Sequence, residues 1–498
     1  MSETSHKQKT LSGINWSAIA MIAQTFLGLA VGAVLARLLD PSDFGLLAIV
    51  LIIIGFAELF ASLGMRPAIA RLPDVDDDVF KQANTLSFLM GTGLCVIIWF
   101  VAPLIADFFN EPKSTILIQV TTLGVWLTAL TAASRGLLMR RFEFKWLSQI
   151  DMLAYVIGYA AVGITLALLG YGVWALVLAH VGSMVVTSLL IMVKEPPRYT
   201  LKLVPEQAGQ LFKFGVGVSY NNLMAHIAGH IDNFLVGKFL GTAALGFYTR
   251  GFHLVTLPIY KVANILTSVM LPSYAELSGD DERFRDVFLR LVQAAGLLMI
   301  PMFASFAVSG EYIIIGMYGD KWGPAVLAFQ ILAMAGVFKT FSFIAGTVIQ
   351  AKNRVHIEAI TQSINTVLLG SAIFFLVQQG IETVAICLVA SNLFIWAAQS
   401  WVAIRSINLP LLAYLGALKP GIVLAVFVAG AQFLLIQFGL DPISISHELG
   451  LICVIAVAGI VYLVGFICLP AWIIGPTPKW LLQQYAGKLP SPVRRLLV

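Results

Sequence analysis

The chain has 498 residues, of which 59% are hydrophobic and only 11% charged, with a formal net charge of +5. A soluble domain carries roughly 25% charged residues, so this chain lacks the charge to cover a water-facing surface of its size. The composition excludes an ordinary soluble protein and points to an integral membrane protein.

Apolar runs of roughly 20 residues, the length that crosses a bilayer as a helix, fall near 14–37, 45–65, 85–106, 116–136, 148–169 and 173–193. After a polar break they resume near 211–236, 246–272, 288–310, 324–349, 358–378 and 383–404, and two more lie near 412–437 and 449–472. The expectation is an all-α membrane protein of about fourteen spans. Strands of a membrane barrel would be about ten residues of alternating pattern, which excludes that architecture. The start, MSETSHKQKTLSGINWSAIA, carries two lysines and then an apolar run too long for a signal core, with no A-x-A site, so the first span is expected to be retained. Cys95, Cys387, Cys453 and Cys468 are scattered within spans and read as small apolar packing residues, with no disulfide framework or metal site expected.

Basic residues set the orientation. Numbering the connections alternately from the N-terminus, the odd set holds 23 of the 31 lysines and arginines, among them Arg66, Arg135, Arg140, Arg141, Lys194, Arg198 and Lys352. The even set holds Arg37, Lys113, Lys238, Lys321 and, at its edge, Arg250. The positive-inside rule then places both termini in the cytoplasm, as an even number of spans requires. Topology accounts for the net positive charge without a nucleic-acid partner.

The pattern repeats. VLARLLDPSDFGLLA at 34–48 returns as LVGKFLGTAALGFYT at 235–249, so that Lys238 stands for Arg37 and Gly246 for Gly45. FFNEP at 108–112 and MYGDK at 317–321 each follow the third span of their half, and GYGVWALV at 170–177 matches GIETVAIC at 380–387. This predicts two six-helix lobes, 1–205 and 206–404, in a parallel repeat about an axis along the membrane normal. Two extra helices would occupy 405–475, and 476–498 would form a cytoplasmic tail. Arg37 and Lys238 are cations at the C-terminal ends of their helices, where they face the helix dipole. In DPSDFG, Pro41 cannot continue a helix, and Ser42 or Asp43 can cap the next one.

Some polar residues are not explained by helix ends. In the eighth span Arg250, His253, Lys261, Asn264 and Ser268 fall within about 60° of Arg250 at 100° per residue, forming one stripe. Lys261 is near mid-membrane, where a cation is costly unless it faces water, a partner or a ligand. Lys339 in the tenth span raises the same question. In the seventh span His226, His230 and Asn233 share a face with Asn222 and Ser219, and Asp232 points about 80° to the other side. Glu358, Thr361, Gln362 and Asn365 begin the eleventh span on one face, while Glu58 and His180 are the thinner signal of the first half. Pro258 and Pro301 are candidate kinks. The positive excess of Arg250, Lys261 and Lys339 over Glu58 and Asp232 favours an anion over a cation.

GINWSAIAMIAQ leading into VLARLLDPSDFGLLAIV, then LLMRRFEFKWLS, GYGVWALV, DNFLVGKFLGTAALGFYTRG and YGDKWGPAV resemble the lipopolysaccharide and exopolysaccharide flippases of the polysaccharide transporter family, in particular the colanic-acid exporter type. That family belongs to the superfamily of multidrug, oligosaccharidyl-lipid and polysaccharide exporters. The resemblance covers roughly 10–405. It implies a bacterial inner-membrane protein that moves undecaprenyl-pyrophosphate-linked oligosaccharide to the periplasmic leaflet by alternating access, without a cofactor. The family's use of cationic cavities adds weight to Arg250, Lys261, Lys339, His253 and Asn264 as substrate-binding residues. The assignment of His226, His230 and Asp232 to ion coupling rests on their polar face and on the ability of histidine to carry protons. No Walker sequence occurs, so ATP is not used by this chain. The same superfamily offers an alternative, a cation-coupled multidrug exporter, which needs acidic residues in its cavity. A membrane polysaccharide polymerase or ligase needs a catalytic loop, yet the periplasmic connections are short and hold no paired carboxylates or Ser–His set. A structural scaffold gives no reason for charged stripes at mid-membrane. Other polysaccharide assembly proteins are candidate partners.

Overall fold

The computed structural model describes residues 23–61, 64–71, 75–201, 204–276, 281–443 and 445–468. The start of the first span and the tail expected at 476–498 lie outside them, as do the side chains of Ser219, Asn222, Asn264 and Ser268. The described elements are all helical. Ten helices are long and apolar enough to cross a membrane, and a bent pair makes an eleventh. Large apolar side chains such as Phe100, Phe375 and Leu412 are 75%, 78% and 83% exposed, which suits a surface facing lipid.

The chain divides into two compact units, Met1–Gly246 and Phe247–Val498. The first begins with α1 (Ala23–Leu38) and α2 (Pro41–Ala61). Their joint is closed by a reciprocal cap: Asp40 donates its N–H to Asp43 Oδ2 at 3.2 Å and Asp43 donates its own to the Asp40 carbonyl at 3.0 Å. Of the two capping candidates Ser42 and Asp43, the aspartate does the work. Gly64, with φ 60°, leads into the short α3 (Met65–Arg71). α4 (Asp77–Phe109) is capped by Asp76, whose carboxylate accepts from the Val79 N–H at 2.7 Å, and ends on Asn110 in the left-handed region at φ 56°. α5 (Ser114–Leu130) and α6 (Ala132–Arg140) are one span bent by 43° at Thr131. α7 (Phe144–Tyr155) continues through a wide π segment, Val156–Gly163, into α8 (Ile164–Leu168), and α9 (Val173–Lys194) follows.

α10 (Pro205–Glu276) contains both the seventh and eighth expected spans and bridges the two units. The connection between the spans is one residue. Gly241 adopts φ 83° and ψ −179°, a conformation open essentially to glycine alone. The chain turns back there: eight residues of straight helix cover about 12 Å, yet a Cβ on Gly237 would stand 3.1 Å from Leu245 Cδ2.

In the second unit, α11 (Asp281–Val308), α12 (Gly310–Tyr318), α13 (Ala325–Ala351), α14 (Val355–Leu376), α15 (Ile381–Ser406), α16 (Leu411–Leu435) and α17 (His447–Cys468) follow. Its core joins α11, α13, α15 and α16 through Phe288, Phe341, Ile404 and Tyr414. The Tyr312 hydroxyl donates to Asp441 Oδ1 between the extra helices at 2.7 Å, and Gln432 Nε2 of α16 donates to the Val454 carbonyl of α17 at 3.0 Å, tying the two extra helices to each other.

Candidate functional site

The repeated signature forms a crossing within the first unit. A Cβ added to Gly45 on α2 would overlap the carbonyl oxygen of Thr242 on α10, and a Cβ added to Gly246 would overlap that of Pro41. Pro41 and Thr242 are equivalent in the repeat, as are Gly45 and Gly246, each pair 201 positions apart. The contact is therefore reciprocal, each copy's glycine admitting the other copy's carbonyl. Only a residue without a side chain lets the two backbones approach so closely. Beside it, Lys238 donates to the Phe108 carbonyl and lies 4.5 Å from the Phe108 ring centre, and Thr242 Oγ1 donates to Glu111 Oε1 at 3.0 Å. The FFNEP segment thus supports the second copy of the joint.

The histidines of α10 meet α2. His226 Nε2 is 3.1 Å from the Ile52 carbonyl oxygen, its ring fills the notch left by Gly55, and Phe56 contacts it edge-on at 4.7 Å. A carbonyl only accepts, so Nε2 carries the proton and Nδ1 is the position left to gain one. The His226 and His230 ring centres are 4.4 Å apart, and His230 Nδ1 is 3.4 Å from Asn233 Nδ2. Asp232 is buried, 4% exposed. The one-turn spacing of the histidines does bring the two rings together, while Asp232 leaves α10 on another side.

Several cations in the rest of this unit are paired with carboxylates. Arg135 binds Asp151 through two parallel hydrogen bonds of 2.9 and 2.6 Å. Arg141 meets Glu195 at 2.5 Å, Lys194 meets Glu143 at 3.5 Å, and Arg198 meets Asp77 at 2.5 Å. Sequence reasoning counted these cations as topology and did not see the partnerships, because their acids lie up to 121 positions away.

The second unit treats its interior lysines differently. Lys339 Nζ on α13 lies 5.5 Å from the ring of Phe252 and 5.7 Å from that of Tyr260, both on α10. These rings flank the stripe on its His253 side. Lys261 is half-buried, and among the described residues of its unit no carboxylate lies within salt-bridge distance. His253 is exposed. Arg250 is occupied with structure, donating to the hydroxyl of the buried Tyr318. Glu358 accepts from Gln350 Nε2 at 3.1 Å, and Asn365 Oδ1 accepts from the Ser391 hydroxyl at 2.9 Å. Asn264, the remaining member of the stripe assigned to substrate, has its side chain outside the described residues.

The comparisons agree with this architecture. The chain is 25% identical to the lipopolysaccharide biosynthesis protein WzxC of Escherichia coli, over 71% of this chain and 72% of that protein. It is 24% identical to the teichuronic acid biosynthesis protein TuaB of Bacillus subtilis, over 92% and 95%. It is 23% identical to the succinoglycan biosynthesis transport protein ExoT of Rhizobium meliloti, over 67% and 68%. Among solved structures, the lipid II flippase MurJ in an inward closed conformation matches with a TM-score of 0.70 at 14% identity, covering 90% of this chain and 97% of that one. An inward-facing multidrug transporter of the MATE family matches at 0.62 and 21% identity, covering 78% and 98%. The fold is that of these all-α membrane transporters. The sequence profile described as polysaccharide biosynthesis protein matches residues 34–327, more than half of the chain, and the protein belongs to that family.

Proposed function

We propose that the chain is a flippase that moves undecaprenyl-pyrophosphate-linked oligosaccharide units from the cytoplasmic to the periplasmic leaflet of the bacterial inner membrane, by alternating access and without catalysing a reaction of its own. The observation that carries this reading is the pair of interior lysines in the second unit. Lys261 and Lys339 are basic side chains with no carboxylate at ion-pair distance among the described residues of that unit, which suits a phosphate-bearing cargo. WzxC, TuaB and ExoT, named for lipopolysaccharide, teichuronic acid and succinoglycan biosynthesis, support a glycan cargo. A cation-coupled drug exporter calls for the opposite sign of charge.

In this reading Lys261, Lys339, Arg250, His253 and Asn264 attract the anion, and His226, His230 and Asp232 couple transport to an ion gradient. The chain crosses the membrane fourteen times with both termini in the cytoplasm, and the crossings of 1–404 form two duplicated lobes, 1–205 and 206–404. Counting fourteen adds to the eleven spans α1 and the two halves of α10 on either side of Gly241.

The test is a deletion strain without a second exporter. Lipid-linked oligosaccharide should accumulate on the cytoplasmic face and surface polymer should disappear. Normal surface polymer with no accumulated intermediate rejects the proposal.

A further inference from the structure

In the second unit α13, α14 and α15 meet around Gly346. A Cβ on Gly346 of α13 would stand 3.1 Å from Glu358 Oε1 of α14 and 4.0 Å from Gln399 Oε1 of α15. One notch in α13 is therefore faced by a carboxylate oxygen and an amide oxygen from two other helices. Gln350, one turn further along α13, donates its Nε2 to the two carboxylate oxygens at 3.3 and 3.1 Å. Glu358 is half-buried in the first turn of a helix long and apolar enough to cross the membrane, and Gln350 is exposed.

Helix chemistry accounts for part of this. A carboxylate in the first turn of α14 is favoured by the helix dipole, and Gln350 satisfies it from one side. Lys352, two residues beyond Gln350, does not neutralise it, because Lys352 is engaged with Asp281 at 2.7 Å. Gln399 is not accounted for. It is 5% exposed and makes no hydrogen bond among the described residues. Its neighbours on α15 are engaged: Trp396 Nε1 donates to the Tyr414 hydroxyl at 2.9 Å, and Ser400 Oγ lies 2.9 Å from the same hydroxyl. Burying an amide without a partner is costly, and a leucine would fill the place without that cost. The Gln399 oxygen instead faces the notch that holds the carboxylate, and two acceptors facing one space suit a positive charge between them.

We propose that Glu358, Gln399 and Gln350 form a sodium-binding site in the second unit, seated at the Gly346 notch. The Glu358 carboxylate supplies the charge and the Gln399 amide oxygen a neutral ligand, and such hard oxygen donors suit sodium and not a soft metal. One carboxylate balances one positive charge, whereas a divalent ion would leave an excess within the span. Gln350 holds the carboxylate toward the notch and, being at the exposed end of α13, leaves water free to complete the ion's shell. An ion held in this way ties α14 to α13 and α15. The site is separate from the histidine pair on α10, whose chemistry is that of protons. Sodium binding stands on this geometry alone, and its use as a driving ion rests on the transport reading.

The experiment measures binding of radiolabelled sodium to the full chain in lipid nanodiscs, with unlabelled sodium, magnesium and choline as competitors at constant ionic strength. Unlabelled sodium should displace the label, and magnesium and choline should not. Glu358→Gln, which removes the charge and keeps the shape, should weaken binding at least tenfold. Gln399→Leu suits its buried place, so the protein should fold at least as well as wild type while sodium binding weakens several-fold, a split that a packing role for Gln399 cannot produce. Gln350→Leu should fall between wild type and Glu358→Gln. No sodium binding to wild type at tens of millimolar, or unchanged affinity in folded Glu358→Gln, overturns the site. Displacement by magnesium as strong as by sodium overturns its monovalent character, and unchanged affinity in folded Gln399→Leu overturns the part of α15. If the deletion strain exports polymer normally while Glu358-dependent binding persists, the transport reading falls and the site stands. If export is lost on deletion while Glu358→Gln binds sodium like wild type, the site falls and the transport reading stands.

Discussion

Arg135 in the first unit and Lys339 in the second are both basic residues on membrane-spanning helices, and their surroundings differ in kind. Arg135 sits in a two-bond fork with Asp151, one of several cation–carboxylate pairs in its unit. Lys339 rests near the faces of Phe252 and Tyr260. An aromatic face holds a cation by about 0.5–2 kcal/mol without neutralising it, whereas a carboxylate cancels its charge. Arg135 is therefore neutralised by its partner, whereas Lys339 has aromatic faces and no carboxylate at ion-pair distance among the described residues of its unit. The same contrast appears at the two copies of the repeated joint. The first is built from aspartates, the second from a glycine, and the two meet at the crossing of Gly45 and Gly246.

The crossing is the sharpest place to break this symmetry. Gly45→Ala and Gly246→Ala each drive a methyl group into a carbonyl oxygen with no flexible side chain to give way. Each should abolish export and lower stability by about 3 kcal/mol, the upper end of the cost of overpacking. Thermal unfolding and surface-polymer measurements should show similar losses for both. Wild-type export by either variant means that the close approach is not used.

The unneutralised charge of the second unit is tested next. Lys339→Met keeps the stem against the aromatic rings and removes the charge, so the protein should insert and unfold like wild type while export falls at least tenfold. Lys261→Glu should lose export more completely, because it repels an anion instead of ceasing to attract it. If Lys261→Glu exports normally, the second unit's positive charge has no part in cargo selection. In contrast, a charge-preserving exchange in the first unit, Arg135→Lys, should reduce export by losing the fork geometry alone.

Much of this was legible in the sequence, for identifiable reasons. The spans could be read because a bilayer demands long apolar runs, and the α2 cap because Asp43 carries its own chemistry. The approach of the His226 and His230 rings to 4.4 Å follows from four-residue spacing. The break at Thr131 was not legible: LTALTAASRG marks it with neither proline nor a glycine at the bend. The single-residue joint was hidden as well, because Gly241 is one of many glycines and its φ of 83° is set by tertiary folding.

The histidine pair should give a smaller effect. His226→Gln keeps a donor for the Ile52 carbonyl and removes the titratable ring, so folding should survive while the pH dependence of export flattens. If the pH profile is unchanged in His226→Gln and in His230→Gln, the pair serves only packing.

The smallest effects compare the two joints directly. Gly241 occupies backbone space that costs other residues of order 1–3 kcal/mol, so Gly241→Ala should destabilise by about that amount. At the equivalent position of the first copy stands Asp40, whose N–H is satisfied by Asp43. Asp43→Ala removes one arm of a reciprocal cap and leaves the Asp40 N–H without that acceptor, a loss of about 1 kcal/mol. Asp43→Asn can still accept from the Asp40 N–H and should recover most of the loss. The equivalent residue in the second copy is Ala244, which has no cap to give, and Ala244→Asp should not stabilise because the backbone at Gly241 is extended in the wrong sense for the reciprocal bond. Equal gains from an aspartate at 244 and from restoring Asp43 would mean that the two joints share one backbone solution after all, and that Gly241 is a matter of sequence drift instead of geometry.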